Sequence, residues 1–547
     1  MVAYSAQYTQ STAASTPHNS SVTFGTDIAQ SHVYLSVEII PSHSFARLML
    51  ALGRVVRMQD TGIQRDHSAY QEWVQGQYLK ELSSSQVAAD LAQLPDLLAE
   101  ANRLEALVAP LQSKIVAYNN PYLYRKEQRA YWKWLDKHNR ELWYILDPIV
   151  SVQPDATFFE AFSLDESTYA RVVLPHSATR CDNKPVYGTT NIDFSVGLER
   201  EFARTRSYRP LHLTVGADSV TIDTGLSSTK EKKIDLPDSW VRGLVEVQAA
   251  LSLAPIELKI SSSAFADVLA RLDAEREKHG PRALVFELVP GEVPRIIVEP
   301  WGDVFQVSDN TYLGSENRMI KVWGRRRLRV LKDLLPLVPE LTVRLVDSGM
   351  PSFWSIEIEG VCLTIGLSGW SSQDWAGRAR FSAMIPSSDA STETVEEAAN
   401  LLKTNQLLSV DELATALNSS PVDTRRILQR LCLAGLAMYD PDSARYRWRA
   451  LFPTINLESD SGSGREERKG IELFQGKTVE FLSDEITSQG RVLKGSITSG
   501  DRINTTTIQR DVDGRVMHAQ CDCSHFRYHK LRQGPCRHIV AMSLAGG

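Results

Sequence analysis

Hydrophobic and polar positions change period several times along this chain, and each change predicts an element. Residues 32–40 alternate, with Val33, Leu35, Val37 and Ile39 on one side, and predict a strand. Residues 45–58 carry helical spacing. From 70 to about 149 the chain reads as helices, with Leu91, Leu94, Leu97, Leu98, Leu104, Leu107 and Leu111 mostly at three- and four-residue steps, broken at Pro95 and Pro110. Residues 158–162 and 170–174 suit strands, and 195–206 a helix. Strands are predicted at 256–260, 284–288, 295–299, 304–307, 341–346, 354–358 and 361–365, the last two joined by a Glu359–Gly360 hairpin turn. Helices are predicted at 264–278, stopped by Gly280 and Pro281, and at 328–337. Trp370 and Trp375 would cap this sheet. The pattern is α+β and multidomain. It divides into a mainly helical region (31–150), a mixed α/β region (151–240), an α+β domain (241–390), a helical segment (391–457) and a C-terminal part (470–547).

Residues 1–30 are rich in Ser, Thr, Gln and Ala and predict a disordered tail. Residues 458–469, with Ser459, Ser461, Gly462, Ser463 and Gly464 and then mixed charges, predict a linker. A chain of 547 residues suggests about three to four domains. The net charge is −6, so nucleic acid could be held only by a local basic patch. Cys362 and Cys432 sit in apolar runs and read as reduced core residues, while Cys181 has no obvious partner, a usage that predicts a reducing cytoplasm. The N-terminus lacks a basic start and an apolar core of a signal peptide, and no apolar run approaches a bilayer span, so no membrane partner is predicted.

Residues 391–452 carry three helix starts. Thr394 with Glu397, and Ser409 with Glu412, have the spacing of capping boxes, and Ser420 precedes Pro421 and Asp423 as a cap does. The short turn between the second and third helices has helix-turn-helix spacing. Residues 436–439 and 445–448 flank Asp440–Pro441–Asp442 as a β-wing would. This segment resembles a winged helix-turn-helix domain. On its third helix Thr424, Ile427, Leu428 and Leu431 share one face, and Arg425, Arg426, Gln429 and Arg430 share another, by 100° steps. A basic outward face, with Arg445, Arg447 and Arg449 in the wing, is what DNA binding requires. Protein docking, with a merely solvated basic face, is the alternative.

The C-terminal part predicts strands at 479–482, 491–497, 504–509 and 515–519. Gly470 to Thr478 comes close to a phosphate-binding loop, but one residue too many separates the glycines and a strand follows where a helix should begin. Cys521 and Cys523 are one residue apart; after a spacer, Cys536 and His538 are again one residue apart. Three thiolates and an imidazole form a complete tetrahedral set for zinc. An unmetallated cluster or a redox pair is the alternative, and His525 and His529 in the spacer could replace a ligand. The spacing resembles the SWIM-type zinc finger, Cys-x-Cys followed by Cys-x-His. That resemblance implies Cys521, Cys523, Cys536 and His538 as ligands of one structural Zn2+ and favours His538 over the spacer histidines. It covers roughly 480–544. It implies roles in DNA binding and in protein contact, and some bacterial SWIM-containing proteins are associated with a partner ATPase. Around the site Arg527, Lys530 and Arg532 interleave with Phe526 and Tyr528, a surface fit for a phosphate backbone or an acidic protein surface.

Other features carry plainer readings. The aromatic residues of 122–145 (Tyr124, Tyr131, Trp132, Trp134, Trp143, Tyr144) read as helix packing before base stacking, and 104–118 could form an oligomer seam. Asp165, Glu166, Asp193 and Glu199 read as caps and surface charges before a carboxylate active site. The basic run Arg325 to Arg329 reads as a phosphate or acidic-partner site, or as a solvated helix start. No nucleotide-binding, metalloprotease or esterase motif is complete. The expectation is therefore a non-enzymatic, zinc-binding recognition protein that binds DNA, a protein partner or both and takes no small-molecule substrate. The alternative is a scaffold subunit, with a partner ATPase and no nucleic acid contact.

Overall fold

The structure, a computed structural model, describes residues 33–58, 148–181, 184–191, 202–208, 211–215, 238–277, 282–369, 381–385, 390–451, 465–487, 490–500, 502–529 and 534–546, the strands Thr12–Ser15 and Ser20–Phe24, and the single positions Glu199, Trp375 and Leu531. The chain divides into two units, residues 1–59 with 146–547, and residues 60–145. The predicted helices of 70–149, their aromatic residues and the 104–118 seam lie outside the described residues.

An eight-stranded sheet organises the first unit. Its order is Ile256–Ser261, Glu340–Leu345, Ser352–Ile358, Val361–Leu367, Thr168–Pro175, Ala156–Phe162, Ile149–Val152 and Gly188–Asn191, antiparallel throughout. The predicted boundary at 240/241 therefore does not separate two sheets. It falls inside a helix, Asp238–Leu251, that the sequence reading missed. The hairpin between Ile358 and Val361 turns on Glu359 (φ 50°) and Gly360 (φ 82°), the left-handed pair that a two-residue turn needs.

Ala156–Phe162 is buried along its whole length, so both faces of the sheet are covered here. Side chains alternate across a strand. Phe159 packs edge-on against Phe45 of the helix Ser42–Val56, with ring centroids 5.7 Å apart. Phe158 and Glu160 point to the other face, towards Met438 and the arginines Arg447 and Arg449. Phe162 meets Trp240 of Asp238–Leu251. Further along the sheet, Trp354 stacks on Phe265 of the helix Ser262–Ala274, and Trp375 is fully buried beside Phe353.

Four smaller sheets surround this one. A five-stranded sheet runs Thr12–Ser15, Ser20–Phe24, Leu211–Val215, Leu35–Ile39, Thr179–Cys181. Its first two strands lie within the stretch predicted as a disordered tail. A four-stranded sheet runs Asp303–Gln306, Arg295–Val298, Leu284–Leu288, Arg318–Val322, the last strand unpredicted. A three-stranded sheet joins Leu407–Leu408, Arg445–Trp448 and Ala437–Asp440. A four-stranded C-terminal sheet runs Val479–Thr487, Gly490–Ser499, Arg502–Arg510, Val516–Cys521.

Three further expectations change. The helix predicted at 328–337 is a pair of 3-10 turns, Arg325–Leu331 and Leu335–Leu337. Gly324 precedes the first in a left-handed conformation and Pro336 lies in the second. The cap predicted at Thr394 is at Ser391, whose hydroxyl accepts from the Thr394 N–H. The linker predicted at 458–469 gives way to a helix, Arg465–Gln475. Ser409 with Glu412 does form a capping box, and Ser420 caps the helix that begins at Pro421.

Candidate metal centre and recognition surfaces

The last strand, Val516–Cys521, delivers Cys521 at its end, in register with Thr506. Cys523 precedes the short helix Ser524–His529. Cys536 is the N-cap of the final helix, Arg537–Ala545, and His538 lies in its first turn. Cys521, Cys523, Cys536 and His538 are all buried, and their ligand atoms lie within 4.8 Å of one another. Cys521 Sγ and His538 Nδ1 are 3.7 Å apart. Zinc–sulfur and zinc–nitrogen bonds of ordinary length in a tetrahedron put neighbouring donors roughly 3.5–3.8 Å apart. The donor set and its convergence therefore fit zinc. Four protein ligands close the coordination sphere and leave no position for water or substrate, so the ion is structural. His525 is not in the converging group, and the side chain of His529 lies outside the described residues.

The four donors are packed closely enough to perturb one another strongly. Hydrogen bonds from Cys521 and Cys536 hold the Cys523 thiol far below its ordinary range. The Cys536 thiol is pushed far above it by sharing protons with Cys521 and Cys523. Burial alone would lower His538, but contact with Cys521 and Cys523 outweighs it and raises the ring to about 9. Donors around the sulfurs supply part of the compensation: Thr506 Oγ1 donates to Cys521 Sγ at 3.4 Å, and the Phe526 N–H donates to Cys523 Sγ at 3.4 Å. The N-terminus of Arg537–Ala545 adds its positive end at Cys536.

Three positions that sequence reasoning missed hold this site in place. Gly470, in Arg465–Gln475, lets that helix approach the final helix; a Cβ there would lie 2.5 Å from Val540 Cβ. Glu466 accepts from Arg537 Nε at 2.9 Å, tying the same two helices. Arg510, 2% exposed, donates to the carbonyls of Ser543 (3.0 Å) and Gly546 (3.2 Å) and so caps the C-terminal end of the final helix. In the sequence Gly470 stands out only as the first glycine of the incomplete phosphate-loop pattern, and Glu466 and Arg510 do not stand out.

The residues predicted to contact nucleic acid are placed differently. The helix Pro421–Leu433 buries Thr424, Ile427, Leu428 and Leu431 as expected. Its second face is partly covered as well. The helix packs against Asp238–Leu251, and beyond Asp423 none of its residues is exposed. Gln429 is 4% exposed. Arg425 bonds the carboxylate (2.9 Å) and carbonyl (3.0 Å) of Asp513, in the turn before the last strand. Arg426 faces Asp423 at 3.7 Å, and Arg430 donates to the Ala390 carbonyl. The basic face expected to point outward is thus half-buried and paired, with Gln429 buried and Arg425, Arg426 and Arg430 partly exposed.

Two of the arginines expected in a wing turn inward as well. Arg447 is 1% exposed and bonds Asp155 at 2.6 Å and Asp440 at 3.3 Å. Arg449, equally buried, pairs with Glu160, which also accepts from Tyr169 Oη at 2.5 Å. Arg171 bonds Asp440 at 3.0 Å and Asp442 at 3.1 Å, and Arg344 bonds Asp442 at 2.9 Å. This lattice of charges fastens the three-stranded sheet to the eight-stranded one. Arg445 alone of the three wing arginines stays at the surface, opposite Glu412 at 3.4 Å. At the finger, Arg527 is exposed; Lys530 and Arg532 lie outside the described residues.

Of the remaining candidates, Asp165 and Glu199 are held in ion pairs. Asp165 accepts from Ser163 Oγ, from Ser167 Oγ and from Arg327 at 3.0 Å. Burial alone would raise it, but Arg327 and the two hydroxyls bring it down to about 2. Glu199 pairs with Arg57, and Asp193 lies outside the described residues. The basic run is mostly paired inward: Arg325 donates to the Ala283 carbonyl, Arg326 pairs with Glu277 and Arg327 with Asp165, while Arg329 stays exposed and pairs with Asp273.

Comparison with known proteins agrees with the geometry of the metal centre. Residues 505–547 match the SWIM zinc finger family, so this segment is a SWIM zinc finger. No curated protein matches the chain. Among solved structures, the chain is similar to Proliferating Cellular Nuclear Antigen from Entamoeba histolytica, at 9% identity and TM-score 0.27, over 41% of this chain and 89% of that chain. It is similar at 13% identity and TM-score 0.27 to A. fulgidus PCNA, solved with the C-terminal region of FEN-1, over 42% of this chain and 91% of that chain. At these scores the likeness carries no argument. Among the described residues no helix is long and apolar enough to cross a membrane.

Proposed function

We propose that this chain, with its SWIM zinc finger, is a non-enzymatic adaptor that docks a protein partner, and that its helical segment 390–451 is a structural bridge and not a DNA reader. The observation that carries this reading is the burial of the helix Pro421–Leu433. A recognition helix must lay its polar face in the major groove. Here that face is half-buried against Asp238–Leu251, and Arg425 is engaged with Asp513. A protein with net charge −6 also lacks a general field to gather DNA. The closed four-ligand zinc site supplies rigidity and no chemistry. A partner ATPase remains one form of such a protein partner.

The test is binding of zinc-loaded protein to labelled single- and double-stranded DNA across a salt series. The reading expects no binding that is both steeply salt-dependent and lost in an Arg425→Ala/Arg426→Ala variant. Such binding would restore the winged-helix reader. Salt-dependent binding lost on Arg527→Ala would instead make the finger a nucleic-acid surface.

A further inference from the structure

Among the described residues the C-terminal sheet ends on one side in an unpaired edge. Val479–Thr487 is the outermost strand, and its neighbour in the sheet is Gly490–Ser499. Almost all of it is exposed: Phe481 44%, Leu482 55% and Ile486 86%. An edge of this length presents unpaired N–H and C=O groups, which natural proteins ordinarily cover, shorten or charge. The two faces of this strand differ. Val479 and Phe481 oppose Ile497 and Gly495, buried positions of the neighbouring strand, and Ile486 opposes Arg491 on the same side. Glu480 and Glu485 oppose Ser496 and Val492 on the other face, where both carboxylates are exposed. The register shift between Phe481 and Ser483 takes up Leu482 and keeps Phe481 and Ile486 on one face, with Asp484, neutralised by Arg491 at 2.7 Å, between them.

We propose that this edge receives an extended segment of a partner protein as an additional strand, one that alternates apolar and basic side chains. The inference rests on the protein-adaptor reading above and names its surface. The added strand continues the sheet through main-chain hydrogen bonds. Its apolar residues lie beside Phe481 and Ile486, and its lysines or arginines beside Glu480 and Glu485. Charge selects this occupant over a second copy of the chain. Antiparallel pairing of two such edges would bring Glu480 and Glu485 of both copies onto one face, and like charges across a strand pair repel. The acids thus block self-association while leaving the ladder open to a basic strand.

The experiment titrates fluorescent peptides into the zinc-loaded full-length protein and reads anisotropy. The probes are a short peptide alternating valine and lysine, its counterpart with glutamate for lysine, and the lysine peptide N-methylated at alternate residues. The proposal expects the lysine peptide to bind about tenfold or more tighter than either of the others. It expects a Glu480→Lys/Glu485→Lys variant, with unchanged zinc content and circular dichroism, to reverse the preference towards the glutamate peptide. Absence of binding, equal binding by the N-methylated peptide, or a preference untouched by the charge swap would each overturn the edge as the docking site. The adaptor reading itself is decided by the DNA salt series and not by this titration, so the two fail separately.

Discussion

The zinc finger and the helical segment 390–451 look alike in sequence, both compact and both rich in arginine, yet their charges act in opposite ways. In the finger, four donors one residue apart in pairs converge from a strand end and a helix start into one buried site. In the helical segment, the arginines converge on carboxylates from elsewhere in the chain: Arg447 on Asp155, Arg449 on Glu160, Arg425 on Asp513. A ligand set carries its own geometry, because the spacing must satisfy a single ion. A basic face carries none, because its partner is set by what packs against it.

The largest effect that would break this contrast concerns the metal. Replacing Cys521 and Cys536 by serine should reduce zinc from one ion per chain to none and unfold the C-terminal module, a loss on the order of 10 kcal/mol at that site. Metal content and near-ultraviolet dichroism read it. Retained zinc in that variant would sink the ligand assignment. Next comes the arginine lattice. Arg447→Ala leaves Asp155 and Asp440 without their shared cation and should cost about 3–5 kcal/mol in urea unfolding. Arg445→Ala, at an exposed pair, should cost about 0–1 kcal/mol. Equal effects at the two positions would mean that Arg447 is solvated.

Smaller effects sharpen the account of how the finger is held. Gly470→Val forces a side chain into Val540 and should destabilise the C-terminal module by about 1–3 kcal/mol without changing the zinc ligands. A variant as stable as the parent would show that Arg465–Gln475 does not seat there. The Asp165–Arg327 pair gives a pH test. Its folded value, about 2, lies below the ordinary 3.8. Its contribution of about 2 kcal/mol is present above the unfolded value and disappears as pH falls through the folded one. Asp165→Asn should therefore flatten the acid limb of stability below pH about 4 and leave little pH dependence from this pair. An unchanged acid limb would contradict the pairing.

Much of the architecture was legible because period and turn chemistry are local. The strand at 35–39, the Glu359–Gly360 hairpin, the Ser409 capping box and the Cys/His spacing depend on neighbours within a few residues. What failed depends on long-range contact. Arg325 to Arg329 reads as a helix start until Asp165, Glu277 and Asp273 are brought to it. The helix Asp238–Leu251 straddles the boundary expected at 240/241, and no local signal near it marks a helix that belongs to both sides. Nothing near Arg510 in sequence reveals that it caps a helix ending at Ala545.

The most direct test of the contrast is hydrogen exchange before and after zinc is removed with a chelator. The account predicts that amides of Gly490–Ser499, Arg502–Arg510 and Arg537–Ala545 lose protection together, while those of Ala156–Phe162 and of the buried turns of Pro421–Leu433 keep theirs, held by ion pairs and apolar packing. Protection retained throughout the C-terminal sheet after chelation would contradict the claim that the metal holds the finger together.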